Sequence, residues 1–326
     1  MKDFCIVGSG IAGSTIANLL FKKYSVEIFD KARGPGGRAS NRRYGNNLSF
    51  DHGLQYISPK THHFKNFILD LKKKKIIKEW SNYHLDFTFR KKEESIKYIG
   101  TKGNNDICKH LIKNIKSNYL SAVTNVKFKS NYWIITLNDK NKVYFKNLIV
   151  TSPFPQLKSL CLNYLDKNTL KLNPSMVPNI TVMVAYKNHK KISINSIKFN
   201  DDIVAWASHE NSKNRFKSNQ TLWTIQCTEK FSKKNINLFK KNKEKYQLII
   251  LKRFEKLTGY QVKKITFQNI HGWKYAYVKN AIGAKSLWFR KSTLGVCADW
   301  LTGNKAEDAW LSAKDLYLRI KKNLPR

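Results

Sequence analysis

The run Gly8-Ser9-Gly10-Ile11-Ala12-Gly13 does most to limit what this chain can fold into. Just ahead of it, Phe4-Cys5-Ile6-Val7 is a short apolar run of the length of a buried strand. Just behind it, residues 14–23 carry Ile16, Ala17, Leu19 and Leu20 at the spacing of a helix, and Val26-Glu27-Ile28-Phe29 reads as a second strand. Strand, glycine turn, helix and strand in this order predict a β-α-β unit that binds a dinucleotide. Gly8 permits the tight turn, Gly10 lets a pyrophosphate reach the backbone, and Gly13 lets helix and strand pack closely. The N–H groups of Ile11 and Ala12, at the start of the helix, face the phosphates. Asp30 lies at the end of the second strand, about 20 residues past Gly10, where an acid accepts hydrogen bonds from a ribose diol and repels a 2′-phosphate.

The segment after the acid separates one dinucleotide from another. Asp30-Lys31-Ala32-Arg33-Gly34-Pro35-Gly36-Gly37-Arg38 sets three glycines and two arginines against the same ligand. Gly37 allows close backbone approach, Lys31 adds charge, and Arg38 can grip phosphate oxygens with two hydrogen bonds. A second phosphate-facing loop suits a ligand lying extended across the sheet. At the far end of the chain, Leu294 to Cys297 reads as a strand, 299–305 as a turn and 306–320 as a helix with apolar residues every three or four positions. Asp299, Asp308 and Ala309 belong to this second strand-turn-helix signature. On a flavin dinucleotide, the ligand implied by the resemblance given next, Asp299 would hydrogen-bond the ribityl hydroxyls or lie near the pyrophosphate, and the helix N-terminus would stabilise negative charge on the reduced ring.

These motifs resemble the FAD-binding amine-oxidase superfamily, and within it the renalase-like NAD/FAD-dependent oxidoreductases. The likeness runs from the GxGxxG, DKARGPGGR and Asp51-His52-Gly53-Leu54-Gln55-Tyr56 segments through 97–103, 203–213 and Leu222-Trp223-Thr224-Ile225-Gln226. It continues through His271-Gly272-Trp273-Lys274-Tyr275-Ala276 and closes at 295–300 and 307–312. It implies FAD as cofactor, backbone contact of Val123 with adenine, and a hydride-accepting flavin oxidised again by oxygen. The implied substrate is a dihydronicotinamide isomer of NAD(P), or alternatively an amine. The chain departs from the family in having Gly272 where Arg is common, Ala207-Ser208 where Ala-Arg is common, and Ala298 where Gly is common.

Cofactor motifs at both ends imply an α/β fold with a Rossmann-like FAD-binding domain (1–58, 96–155 and 267–326). It is interleaved with a smaller substrate domain (59–95 and 156–266) of mixed or antiparallel sheet plus helices, as in p-hydroxybenzoate hydroxylase-like architectures. The expected elements are helices at 61–80, 107–115 and 241–257. Strands are expected at 85–89, 122–126, 132–137, 143–145, 148–151, 180–186, 203–207 and 222–227. His271, Trp273 and Tyr275 are the candidate catalytic residues: His271 as acid or base, the two aromatics as flat walls for a ring, with Tyr56, Trp206 and Trp288 beside them.

The chain carries 61 Lys and Arg against 22 Asp and Glu, a formal charge of +39. The lysines are spread through every segment and no nucleic-acid reader motif occurs, so the charge reads as compositional, attracting polyanions and steering anionic substrates. A basic nucleic-acid-binding protein with a non-catalytic dinucleotide fold is the alternative from another class. An NAD-dependent dehydrogenase would leave Arg38, Asp299 and the last helix without a role. Five scattered cysteines with no CxxC pair read as reduced thiols, no metal-ligand cluster appears, and no apolar run spans a membrane. The sequence therefore reads as a cytoplasmic enzyme acting on a small molecule, and it leaves the oligomeric state open.

Overall fold

The computed structural model describes residues 1–45, 47–81, 83–87, 91–92, 96–187 and 192–324. Nine elements position the site: β1 (Lys2–Val7), α1 (Ile11–Phe21), β2 (Val26–Phe29), β3 (Asn141–Val150), β4 (Met176–Lys187), β5 (Gln220–Cys227), β6 (Ile265–Val278), β7 (Leu294–Val296) and α2 (Ala306–Asn323).

The first sheet is built around β1, which pairs in parallel with β2 on one side and β3 on the other. Because β1 is buried on both faces, alternate residues feed two cores. Phe4 and Ile6 pack with Ile16 and Leu20 of α1 and with Ala313 and Leu316 of α2. Cys5 packs on the opposite face with Phe29, Leu148, Val150 and Trp300. This double burial is why these strands read as continuous apolar runs. Strand β3 forks. Its first half pairs antiparallel with Tyr132–Leu137, while its second half pairs in parallel with β7, so the chain end closes on its beginning. All five cysteines are buried and free, and burial pushes Cys108 and Cys161 up to about 12.

The second sheet runs in the order β6, β4, β5, Val204–His209, Ile194–Lys198, Tyr83–Asp86, Lys91–Lys92, antiparallel except for one parallel pair. Ile180, Val182, Ile225 and Ile270 on one face pack against Ile250 and Phe254 of the helix Lys243–Thr258. The other face carries Asn179, Thr181 and Gln226 and looks back toward the first sheet.

Three expectations change. Strand β6 pairs along its length with β4, so 265–278 belongs to the second sheet and the chain returns to the first at Leu287–Phe289, later than residue 267. The helix expected over 61–80 stops at Lys73, because Lys75 takes a left-handed conformation and Ile77–Glu79 pairs with Tyr98–Gly100 as a strand. That helix buries Phe64, Ile68 and Leu71 in the core of the first sheet, not in a substrate domain. Of the strand expected at 85–89, Tyr83–Asp86 is a strand and 88–89 lie outside the described residues. Among the described residues no helix is long and apolar enough to cross a membrane, and no cluster of metal-ligating side chains occurs.

Candidate active site

A groove of about 920 Å³ runs between the two sheets. Its near end is backbone. Gly8, Gly10, Ile11 and Ala12 line it, and α1 starts at Gly10 with no side-chain cap, leaving its first N–H groups to the groove. The second glycine loop folds onto the first: Gly36 N–H donates to the Ser9 carbonyl at 3.0 Å, and a Cβ at Gly37 would lie 3.2 Å from the Cα of Gly10. Gly37 itself has φ +52°, so glycine meets both the conformational and the spatial demand. Gly13 is outside the groove wall and does the packing work expected of it, since a Cβ there would fall on the Gly8 carbonyl oxygen. Gly10 has only open space and glycine backbone around its missing side chain. A pyrophosphate fits that cradle, and any larger residue at Gly10 or Gly37 would fill it.

Asp30 and Lys31 line the same end, with Val123 and Thr124 beyond them. Asp30 has a second task that its spacing did not disclose. One carboxylate oxygen accepts from the Ser9 N–H at 2.8 Å and its hydroxyl at 2.6 Å, and the other accepts from Ala32 N–H at 2.8 Å. The acid therefore ties the two glycine loops together, and a ribose would bind at its remaining lone pairs.

In the middle of the groove the two chain ends meet. Arg38 donates to both oxygens of Asp299 at 2.7 and 2.6 Å and to the Ala276 carbonyl at 3.1 Å. Burial alone would lower the Arg38 pKa, but the Asp299 charge and hydrogen bonds outweigh it and raise it further. The sequence suggests two independent ligand-binding side chains, whereas the structure shows one bidentate unit. Ala306 and Ala309 of α2 line the wall beside it. Asp308 does not line the groove. Its carboxylate accepts from the Lys305 N–H at 2.8 Å and so caps α2, with burial raising its pKa.

The far end is side chain. Trp273, Tyr275 and Tyr277 of β6, Leu54, and the amides of Asn179 and Gln226 line it. Trp273 donates its indole N–H to the His52 carbonyl at 2.9 Å, stacks on the His52 ring at 5.2 Å and meets the His271 ring edge-on at 4.4 Å. His271 lies behind Trp273, against His52, and is not part of the groove wall. It alternates with Gly272 on β6, and burial, Arg42 and Lys240 lower its pKa. The His271 ring packs edge-on behind the indole and supports it from outside the groove wall. Burial and the His271 charge likewise bring His52 down to about 4. Tyr56 and Trp206 form a separate cluster with Trp80, and Trp288 packs into the first-sheet core; none of the three lines the groove.

Gly272 explains one departure from the expected pattern: a Cβ there would press on Phe239 and Ile236, so the buried Phe239 ring takes the space of the missing side chain. Asn179 and Gln226 carried no role in the sequence reading. The signal was the lone amide in the apolar run of β5, readable once the period of two is applied to a strand with one wet face.

A family model described as an NAD(P)-binding Rossmann-like domain matches residues 6–71. Renalase from Mus musculus is 26% identical over 171 residues. That match spans about half of this chain and about half of renalase, 49% of each. Among solved structures, a protein from Exiguobacterium sp. 255-15 assigned as a protoporphyrinogen oxidase superposes with a TM-score of 0.76 at 9% identity, covering 99% of each chain. Putrescine oxidase bound to putrescine gives 0.71 at 9% identity, covering 98% of this chain and 99% of that one. The chain thus has the same fold as these two oxidases, with an NAD(P)-binding Rossmann-like segment over residues 6–71. Within that fold its sequence is similar to renalase over half its length.

Proposed function

We propose that this chain is an FAD-dependent oxidoreductase that oxidises dihydronicotinamide forms of NAD(P), with oxygen as the final acceptor. The observation that carries the reading is the single groove joining the glycine cradle, the Arg38–Asp299 pair and the Trp273–Tyr275 wall. When bound, FAD supplies the hydride acceptor at its N5 and passes both electrons to oxygen, giving peroxide. The cradle at Gly10 and Gly37 holds the pyrophosphate, Asp30 the ribose and the backbone at Val123 the adenine. Asp299 orients the ribityl hydroxyls, with Arg38 fixing its carboxylate. Trp273 and Tyr275 clamp the donor ring against the acceptor and exclude water.

The charges of the groove favour this donor over an amine. The acids among its lining residues are Asp30, at the adenosine end, and Asp299, already paired with Arg38. Lys274 stands at the far end and Lys31 and Lys305 along the walls, so an ammonium group finds no carboxylate there while a dinucleotide's phosphates find cations. Hydride leaves a dihydronicotinamide without a coupled deprotonation, so this reading asks for no carboxylate at the far end, where none lines the groove among the described residues. The test is anaerobic mixing of the FAD-loaded protein with dihydronicotinamide isomers and, separately, with putrescine. Bleaching of the flavin spectrum by a dihydro isomer and not by the diamine is the expected result. Bleaching by the diamine alone would overturn the reading.

A further inference from the structure

Besides Lys274 and the tyrosine hydroxyls, the polar side chains lining the far end of the groove among the described residues are two carboxamides on neighbouring strands, Asn179 on β4 and Gln226 on β5. Both are fixed. Gln226 lines the groove and its Nε2 donates to the Gly53 carbonyl at 2.8 Å, which settles which end of the amide is nitrogen; among the described residues no hydrogen bond holds its Oε1. Asn179 Nδ2 donates to the Cys227 carbonyl at 2.8 Å, and its Oδ1 accepts from the Thr181 hydroxyl at 2.8 Å. What remains open is one acceptor, Gln226 Oε1, and one hydrogen on each amide nitrogen, Gln226 Nε2 and Asn179 Nδ2.

We propose that Gln226 and Asn179 form a subsite for a planar primary carboxamide on the substrate ring. Gln226 Oε1 accepts from the ligand's amide N–H, and Asn179 Nδ2 donates to its carbonyl oxygen. Thr181 lies opposite Gln226 in the sheet, so Asn179 and Gln226 are diagonal neighbours on one face. Diagonal neighbours stand about 7–8 Å apart. That backbone spacing puts both side chains within reach of one small planar ligand group. Asn179 is paired in register with Trp273, which sets the amide beside the indole that would carry the ring. Both amides are locked before the ligand arrives, one through the Asp51-His52-Gly53 loop and the other through β5, so little side-chain order is lost on binding. The subsite rests on the dihydronicotinamide reading and adds to it the part of the ring that is read.

The probes are three oxidised dinucleotides: NAD⁺, its acetylpyridine analogue, which lacks the amide N–H, and its nicotinic acid analogue, which presents a carboxylate to Gln226 Oε1. Their affinities for the FAD-loaded protein are measured by calorimetry, with bound-flavin content recorded for every sample. The wild type is expected to bind NAD⁺ about tenfold or more tighter than either analogue, the value of one hydrogen bond. In Gln226→Met the gap closes because NAD⁺ binding weakens while flavin content holds. Equal affinity of the wild type for all three, or an equal loss for all three in Gln226→Met, overturns the subsite and leaves the dihydronicotinamide reading standing. No binding of any dinucleotide, with bleaching by putrescine, overturns both. The wild-type comparison needs no variant to fold.

Discussion

The near and far ends of the groove are made by opposite means. The near end is a backbone device: Gly8, Gly10, Gly36 and Gly37 line it with backbone and with the space left by absent side chains, all within the first 38 residues. The far end is a side-chain device: Trp273, Tyr275, Gln226 and Asn179 come from three strands of another sheet and act only through what they carry outward. Between them the Arg38–Asp299 pair joins positions 261 residues apart. A ligand that is the same across a superfamily suits the first construction, and a ligand that differs from member to member suits the second.

Each of the following changes strains one part of that comparison, in descending order of expected effect. Lys213 is fully buried in a junction of charges, paired with Asp51 at 2.8 Å and Glu210 at 2.9 Å, while Arg215 also bonds Asp51. Lys213→Met leaves two buried carboxylates short of a cation and should cost about 3–5 kcal/mol in urea unfolding. An unchanged midpoint would show that the junction is held by packing alone. Asp299→Asn breaks the partly exposed clasp between the two ends and should cost about 2–3 kcal/mol. The same change should strip FAD from the purified protein more readily than Gln226→Met does, and equal retention by the two variants would erase the functional division of the groove. Gly272→Arg introduces the residue that the family resemblance leads one to expect there and drives a side chain into Phe239, for about 1–3 kcal/mol of overpacking. Pairing it with Phe239→Ala should recover part of that loss, and a double variant worse than both singles would contradict the packing account.

The smallest effect is on pH dependence. His52 is buried behind Trp273 and its pKa falls from 6.5 to about 4, so it is neutral when folded. The unfolded state binds the proton more tightly. His52 therefore contributes stability fully present above pH 6.5 and lost as the pH falls toward 4, at no more than about 1.4 kcal/mol per pH unit. His209, also held near 4 by burial, adds a second component with the same sign. His52→Phe should flatten the urea-midpoint profile between those limits without removing the contribution of His209.

The two ends were also unequally legible. Glycine turns and the acid after β2 are read at fixed short spacings, so the cradle, Asp30 and the parallel core of β1 to β3 could be placed from the chain alone. Arg38 and Asp299 could each be singled out, but their union could not, because nothing local in either segment encodes a contact across the whole chain. His271 and Asp308 were misplaced for a common reason. A polar residue inside a motif can serve the backbone or a neighbouring ring, and only the direction of its side chain tells which. Gln226 and Asn179 went without a role because an amide in a strand says nothing until the face it occupies is known. Strand β6 was assigned to the wrong sheet because its boundary carries no turn signal, and its pairing with β4 is set by tertiary register.

The central claim is that the backbone cradle, the clasp and the aromatic wall form one continuous FAD site. Reconstitution of the flavin-free protein with FAD, followed by calorimetry and the visible spectrum, tests it most directly. The account predicts one FAD bound per chain with a resolved, shifted flavin band, and weakened binding when either Gly10 is enlarged to Val or Asp299 is changed to Asn. Saturable FAD binding that ignores both substitutions, or no binding at all, would contradict it.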